Sequence, residues 1–547
     1  MQKTPPFPRR DRPVAFLAGA LVAFLHPLLY GYSWGGGDQD DLIPPILARL
    51  NTSLFSNDAY VQGQLDGLTI RAAYQAVLTG LGRFISPEAA VSLLHVLTLI
   101  GAGAMVFALA RAMHARRSAS LLASVLACLV LPRFTLGGNH LVYSMLTPEG
   151  IAWVGALAAI TIYLKEHVFI AALVLGVTCW FHPLVGFLTL IVLGVVSVYE
   201  VFKEEQEKPK RTAAQEADYQ MDYVLGRGRQ RRKAWKGWPP TTFIGGTLLI
   251  ALPVVGPAIL RQSASGGGDF PAGLNAFKLY VELRHPHHLL PSAFGAVEWI
   301  SFLVLVAIGV GGYVLAARER RVVRLLFPTL LGATFLALAI VATYAIYEFD
   351  SLAIARAQVF KLTVLVNVAL CIGIAAGALS LLQNDARRKL DDLLRKKAPL
   401  YIAAAVLCFL GFRDVRTPEV YDTRGVARWA QRETPASAVF LVPPSMDTFR
   451  VPSRRNVVVT WKSVPFRADL GAGWWARISD IAPLGAVPDR GRGLVEALDV
   501  AYASNSDEQW RALAEKYNAE YAIVPAGTES SLPVAETSGA WSILDLR

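Results

Sequence analysis

Residues 14–32 read Val-Ala-Phe-Leu-Ala-Gly-Ala-Leu-Val-Ala-Phe-Leu-His-Pro-Leu-Leu-Tyr-Gly-Tyr without a single charge. After Ser33 the chain turns to Trp34-Gly35-Gly36-Gly37-Asp38-Gln39-Asp40-Asp41-Leu42-Ile43-Pro44-Pro45. About 20 apolar residues cross the hydrocarbon core of a bilayer, so the first stretch is a membrane span and the second an acidic loop at its exit. Arg9-Arg10-Asp11-Arg12 ahead of the run resembles the start of a secretory signal peptide. No small-x-small cleavage site stands before Trp34, and the segment is read as an uncleaved first span.

The rest of the 547 residues agrees: 54% are hydrophobic and 17% charged, with mean hydropathy +0.40. Soluble chains carry about a quarter charged residues. That excludes a cytosolic enzyme and a disordered chain. The same length rule gives further spans near 89–110, 118–132, 149–164, 168–180, 184–202, 241–260, 297–316, 325–345, 359–382 and 399–412. Trp180-Phe181-His182-Pro183 between the fifth and sixth is either a re-entrant break or a full hairpin. The four cysteines, Cys128, Cys179, Cys371 and Cys408, fall inside apolar runs and form no disulfide framework or paired zinc motif.

Net charge is +11. Residues 413–547 hold 16 Lys+Arg against 17 Asp+Glu, which leaves +12 for residues 1–412. Segments 1–13, 111–117, 165–167, 203–240, 317–324 and 383–398 carry 28 Lys and Arg, and 33–88, 133–148, 261–296 and 346–358 carry 8. Basic loops stay cytoplasmic. The N-terminus is therefore expected inside and 413–547 outside, and the positive charge needs no nucleic acid to explain it. Within 413–547, strand-like runs at 438–442, 457–460 and 521–524 alternate with helical stretches near 422–433 and 506–518, the latter capped by Ser506. The expected architecture is a polytopic α-helical membrane protein of about 11 spans with a C-terminal extracytoplasmic α/β domain. Its units are a transmembrane part over 1–412, with first outward loop 33–88 and solvated cytoplasmic linker 203–240, and the domain 413–547. No internal repeat or nucleotide-binding signature occurs; Gly35–Gly37 and Gly266–Gly268 do not follow strands.

Chemistry concentrates in the outward loops. Asp38, Asp40 and Asp41 repel one another, so one of them needs a raised pKa or a cation beside it. A flexible triglycine followed by acids suits a general base or a metal ligand facing a reaction centre; equally, the acids cap the Pro44-led helix and are solvated. Asp58 follows in the same loop. Arg284-His285-Pro286-His287-His288 puts three imidazoles and a guanidinium in five residues, able to ligate a metal or bind phosphate, or else an incidental interfacial loop. His140, next to Asn139, and Glu149 border the second outward loop, Glu149 as a candidate helix-dipole partner. Arg356 and Lys361 stand at the outer end of the tenth span, where they hold a lipid-linked phosphate or snorkel to headgroups. Whether a divalent metal ion is used stays open.

Gly37-Asp38-Gln39, Leu42-Ile43-Pro44 and Asn57-Asp58-Ala59-Tyr60-Val61 resemble the GT-C superfamily of integral-membrane glycosyltransferases and its bacterial relatives. Thr434-Pro435-Ala436, Pro443-Pro444 and Phe449–Arg454 are similar to tails in that bacterial group. The resemblance covers most of the chain. It implies an inverting transferase of a bacterial inner membrane that takes its sugar from a polyprenyl phosphate, with Asp38 as base or metal ligand, Asp40 and Asp41 beside it, and the soluble tail recognising the acceptor. The chain departs from the family in lacking acid pairs in later outward loops, where Arg and His stand. Two other classes remain on sequence alone. One is a lipid or small-solute transporter or flippase, whose ionisable groups would lie mid-span. The other is a silent scaffold whose tail binds a partner through Trp474, Trp475, Arg454 and Arg455.

Overall fold

The computed structural model describes residues 11–206, 239–264, 270, 274–318, 325–411, 423–465, 468–485 and 492–547. Most of the expected 203–240 linker, the last residue of the eleventh span and the start of the tail lie outside the described residues. Among the described residues, seven helical segments are long and apolar enough to cross a membrane: Arg12–Tyr30, Pro87–Ala112, Pro183–Lys203, Pro240–Leu260, Ala296–Arg318, Leu326–Phe349 and Leu352–Ser380. Three shorter apolar helices, Arg117–Val130, Pro148–Leu164 and Val168–Phe181, complete the apolar set. The expected span at 399–412 is the second half of Asn384–Gly411, whose first half is strongly charged. The chain is a polytopic helical membrane protein with a small C-terminal α/β domain.

Local chemistry sets the helix starts. Ser86 and Thr147 cap helices that open with Pro87 and Pro148, accepting from the N–H of Ala89 at 3.2 Å and of Gly150 at 3.1 Å. Leu249, Leu252, Leu336, Ile340 and Val341 are exposed on the outer faces, as surfaces that meet lipid must be. The break at His182 is a hairpin rather than a kink: a methyl group on Gly186 would lie 3.0 Å from the Cys179 backbone, although seven residues of continuous helix would separate them by about 10 Å. Where Ala296–Arg318 crosses Thr363–Ser380, Gly309 and Gly312 face Gly373 and Gly377. A methyl on Gly377 would come within 2.5 Å of Gly312 Cα, so small residues let these backbones touch.

The first loop is a folded layer of short helices, Asp38–Leu42, Pro44–Leu50, Ala59–Leu65 and Ala72–Gly82. Ile43, Ile46, Phe55, Tyr74 and Leu78 form its own core, to which Leu146 and the tail's Val451 contribute.

The described residues of the tail form a sheet of five strands, β1 (Val439–Leu441), β2 (Asn456–Val457), β3 (Tyr521–Pro525), β4 (Val534–Ser538) and β5 (Trp541–Asp545), in the order β2-β1-β3-β5-β4. The first three are parallel, and β4 and β5 are added antiparallel. Alternation along β1 and β3 feeds two cores. Phe440, Tyr521 and Ile523 pack against Arg424–Glu433. Leu441, Ala522 and Val524 join Trp474, Trp475, Ile478, Leu498 and Trp510 on the other face. The helix at 506–518 is Asp507–Tyr517, with Ser506 and Gln509 forming a full capping box. Of the strand expected over 457–460 only Val457 lies in β2; Val458 N–H still donates to Phe440 O at 3.1 Å, and the chain then turns away.

Candidate functional site

The triglycine is a close-packing element and no flexible tether. Gly35 and Gly37 adopt φ of 76° and 61°, in the region that favours glycine. A Cβ on Gly35 would sit 2.8 Å from Val451 Cγ1, and Gly37 N–H donates to Asp447 O at 3.1 Å. The first loop is thus bonded to the tail just before its acids.

Those acids are sorted by what the tail brings to them. Arg450 is fully buried. Its Nε donates to Asp58 Oδ2 at 2.8 Å, and its Nη1 donates to Asp40 Oδ2 at 3.1 Å and Thr460 Oγ1 at 3.2 Å. Its backbone N–H donates to Asp40 Oδ1 at 2.8 Å. Asp58 also accepts from the N–H groups of Tyr60, Val61 and Val457, each at 3.1 Å. Asp58, expected to touch substrate, is saturated by protein donors and joins the tail to the first loop. With one guanidinium between two dry carboxylates, burial pushes Asp40 up to about 7.

Asp38 sits in a more open arrangement, with Asp41 buried behind it. Lys462 Nζ lies 3.1 Å from Asp38 Oδ1 and 3.2 Å from Asp447 Oδ2, and the Asp38 side chain is 54% exposed. The ammonium beside it holds Asp38 down to about 2. Asp41 is buried, its Oδ1 has no hydrogen-bond partner, and burial pushes it up to about 6. Arg71, whose Nη1 donates to Tyr60 OH at 3.0 Å, and Arg284 both act electrostatically on Asp41.

Arg284 Nη2 donates to Lys462 O at 3.3 Å, which brings the Arg-His stretch to the aspartates. Arg284 Nε and His285 Nδ1 are buried and unpartnered. His288 Nδ1 meets Gly137 O, and the His287 ring lies 4.1 Å from that of His288. Burial lowers His288 to about 4, holds His285 well below the imidazole range and lowers His140. Burial thus favours the neutral form of His140, His285 and His288, and the guanidinium of this stretch is Arg284. Lys361 does not reach headgroups. It is buried, 2.6 Å from Glu149 Oε2 and 3.2 Å from Asn139 Oδ1, with His182 3.7 Å from the same carboxylate. Arg356 lies over Tyr280, 5.6 Å from the ring centroid. Among the described residues no group of three or more His, Cys, Asp or Glu converges to hold a metal ion.

Trp474 donates to Thr460 O at 3.0 Å and is buried with Trp475. Arg455 caps the end of Arg424–Glu433 through Gln431 O and the Thr434 hydroxyl. Three of the four tail residues read as partner contacts are thus internal. Sequence reading passed over Lys462 and Arg71. Lys462 is the single charged residue in 456–464, a stretch otherwise neutral and buried, and that isolation was the available signal.

A family model described as a domain of unknown function, DUF6798, matches residues 421–481, the segment that supplies Arg450, Arg455 and Lys462. No curated protein matches the chain. Among solved structures, the crystal structure of ArnT from Cupriavidus metallidurans in the apo state is similar at 14% identity, covering 98% of this chain and 97% of that one with a TM-score of 0.46.

Proposed function

We propose that the chain is a GT-C-type membrane glycosyltransferase that moves a sugar from a polyprenyl-phosphate donor to an acceptor on the side of the C-terminal domain. The observation that supports it most is the cluster in which the exposed Asp38 and the buried Asp41 face Arg71, Arg284 and Lys462. A lipid-linked sugar presents its phosphate at the membrane surface and its chain to the apolar helices. An acceptor hydroxyl attacks the anomeric carbon from the face opposite the phosphate, the carbon–oxygen bond to phosphate breaks, and polyprenyl phosphate leaves. Arg284 and Arg71 offset the phosphate charge. A first-loop carboxylate takes the hydroxyl proton, a role that contributes roughly 10²–10⁴-fold. A transporter would keep its ionisable groups mid-span, whereas in the buried Glu149–Lys361 pair Glu149 lies in the first turn of Pro148–Leu164 and Lys361 in the short turn Val359–Leu362 that precedes Thr363–Ser380.

Deleting the gene and extracting lipids should reveal an accumulated polyprenyl-phosphate sugar, cleared by the wild-type chain but not by Asp38→Asn or Asp41→Asn. No lipid difference, or clearance by both variants, sinks the reading. A reporter active only outside the cytoplasm, fused after Arg547, should be active; a silent fusion whose cytoplasmic counterpart works reverses the orientation.

A further inference from the structure

The lysine that the tail delivers to the first loop sits on a rigid mount. Trp461 N–H donates to Pro444 O at 2.8 Å, the Thr460 and Ser463 hydroxyls are 2.6 Å apart, and the Trp461 and Trp474 rings pack at 5.2 Å. From this mount the ammonium reaches Asp38 and Asp447, while the same residue's carbonyl receives Arg284. One residue thereby joins the first loop, the tail and the 274–290 segment. We propose that Lys462 is a positioning residue contributed by the C-terminal domain: it commits Asp38 to an ion pair and leaves Asp41, with its unpartnered oxygen, as the carboxylate that accepts the acceptor's proton.

The chemistry follows from a pair of acids in unequal surroundings. A carboxylate held 3.1 Å from an ammonium is stabilised as the anion and is a weak base. A buried carboxylate whose pKa lies near the working pH takes a proton and returns it. The charged and titratable groups around the two acids include Tyr60, Arg71 and Tyr74 from the first loop, Tyr143 from the second outward loop, Asp447, Arg450 and Lys462 from the tail, and Arg284 and His288 from the 274–290 segment. Asp40 lies beside Asp41. Among these only Lys462 is shown within ion-pair distance of Asp38, and no ion pair to Asp41 is seen among the described residues. In the transfer step the acceptor O–H bond breaks and its proton passes to Asp41, the new glycosidic bond forms, and the electron pair of the old bond leaves on the donor phosphate.

The word base rests on the transferase reading, whereas the ion pairing does not, and the test separates them. Carboxyl protonation is followed by difference infrared spectroscopy on the detergent-solubilised full chain, from about pH 1 to about pH 8. Asp38→Asn and Asp41→Asn identify each band. Asp40, pushed up to about 7, is assigned by its own Asp40→Asn difference; the remaining band that titrates near neutral pH in wild type should vanish with Asp41→Asn and persist with Asp38→Asn. Lys462→Gln should move the Asp38-dependent titration up by about one pH unit or more, and Lys462→Arg should restore it. Asp447→Asn, which frees Lys462 for Asp38 alone, should move it the other way, so the pairing remains testable if Lys462→Gln folds poorly. An Asp38 band already titrating near neutral pH in wild type, or one indifferent to both changes, overturns the proposal. With a donor in hand, Lys462→Gln should shift the acid limb of kcat upward and Lys462→Arg should return it. Transfer activity without the infrared shift would overturn the pairing and leave the transferase standing. The shift without activity does the reverse.

Discussion

Two places in this molecule have the same composition: one cation from the tail shared by two carboxylates. Arg450 serves Asp40 and Asp58, and Lys462 serves Asp38 and Asp447. The first set has no solvent exposure to speak of, and its guanidinium presents a planar fork matched to two acids. In the second the side chains are between 28% and 54% exposed, and the ammonium is a point charge on a flexible stem. Burial and donor geometry turn the same charges into a fastener in one place and an adjustable contact in the other. Only the second is a contact that water can enter.

The difference should be visible in stability. Arg450→Met leaves two buried carboxylates without a cation and should cost about 3–5 kcal/mol, read as a large fall in the thermal midpoint and as protease sensitivity of the tail. A variant with wild-type stability would mean that Arg450 does not hold the two parts together.

A second measurement is the pH dependence of unfolding. Asp40 and Asp41 are pushed up to about 7 and about 6 in the fold, so between roughly pH 4 and pH 7 the unfolded chain releases protons that the folded chain keeps. Stability from these two groups is greatest at the acid end of that window and falls as pH rises. Asp38, held down to about 2, acts oppositely: its contribution is present above about pH 4 and is lost as pH falls toward 2. Asp40→Asn should flatten the fall toward neutral pH, and an unchanged slope would remove Asp40 from the account.

The smallest effect is expected at the open set. Lys462→Gln should change stability by about 0–1 kcal/mol while altering the behaviour of Asp38. A loss as large as that of Arg450→Met would make the two sets alike and end the comparison.

The membrane part was legible because span length and apolarity are local properties: ten of the eleven apolar runs match apolar helices to within a few residues. Loop composition also singled out Asp38, Asp41 and Arg284 as candidates, and the fold brings Arg284 to Lys462 beside Asp38. The partners were not. Arg450 stands 410 residues from Asp40 and 392 from Asp58, and nothing in either neighbourhood announces the other. The histidines misled because their charge depends on burial, which spacing does not reveal. Trp474 and Trp475 looked like a sticky surface because large aromatics at an interface and in a core read alike. The β4–β5 hairpin was missed because Val534–Ser538 is short and mostly polar, without the alternation that marks a half-buried strand.

The long reach from Asp58 to Arg450 also sets an order of events. Ribosomes add about 5–20 residues per second, so the first loop waits roughly 20–80 s for a cation that arrives only with the last domain. Throughout that wait its two innermost acids must stay hydrated, and the layer containing Phe55 and Tyr60 cannot close. The final segment of the chain is therefore what ends the folding of the first loop, and a nascent chain stopped short of Arg450 would hold that loop open.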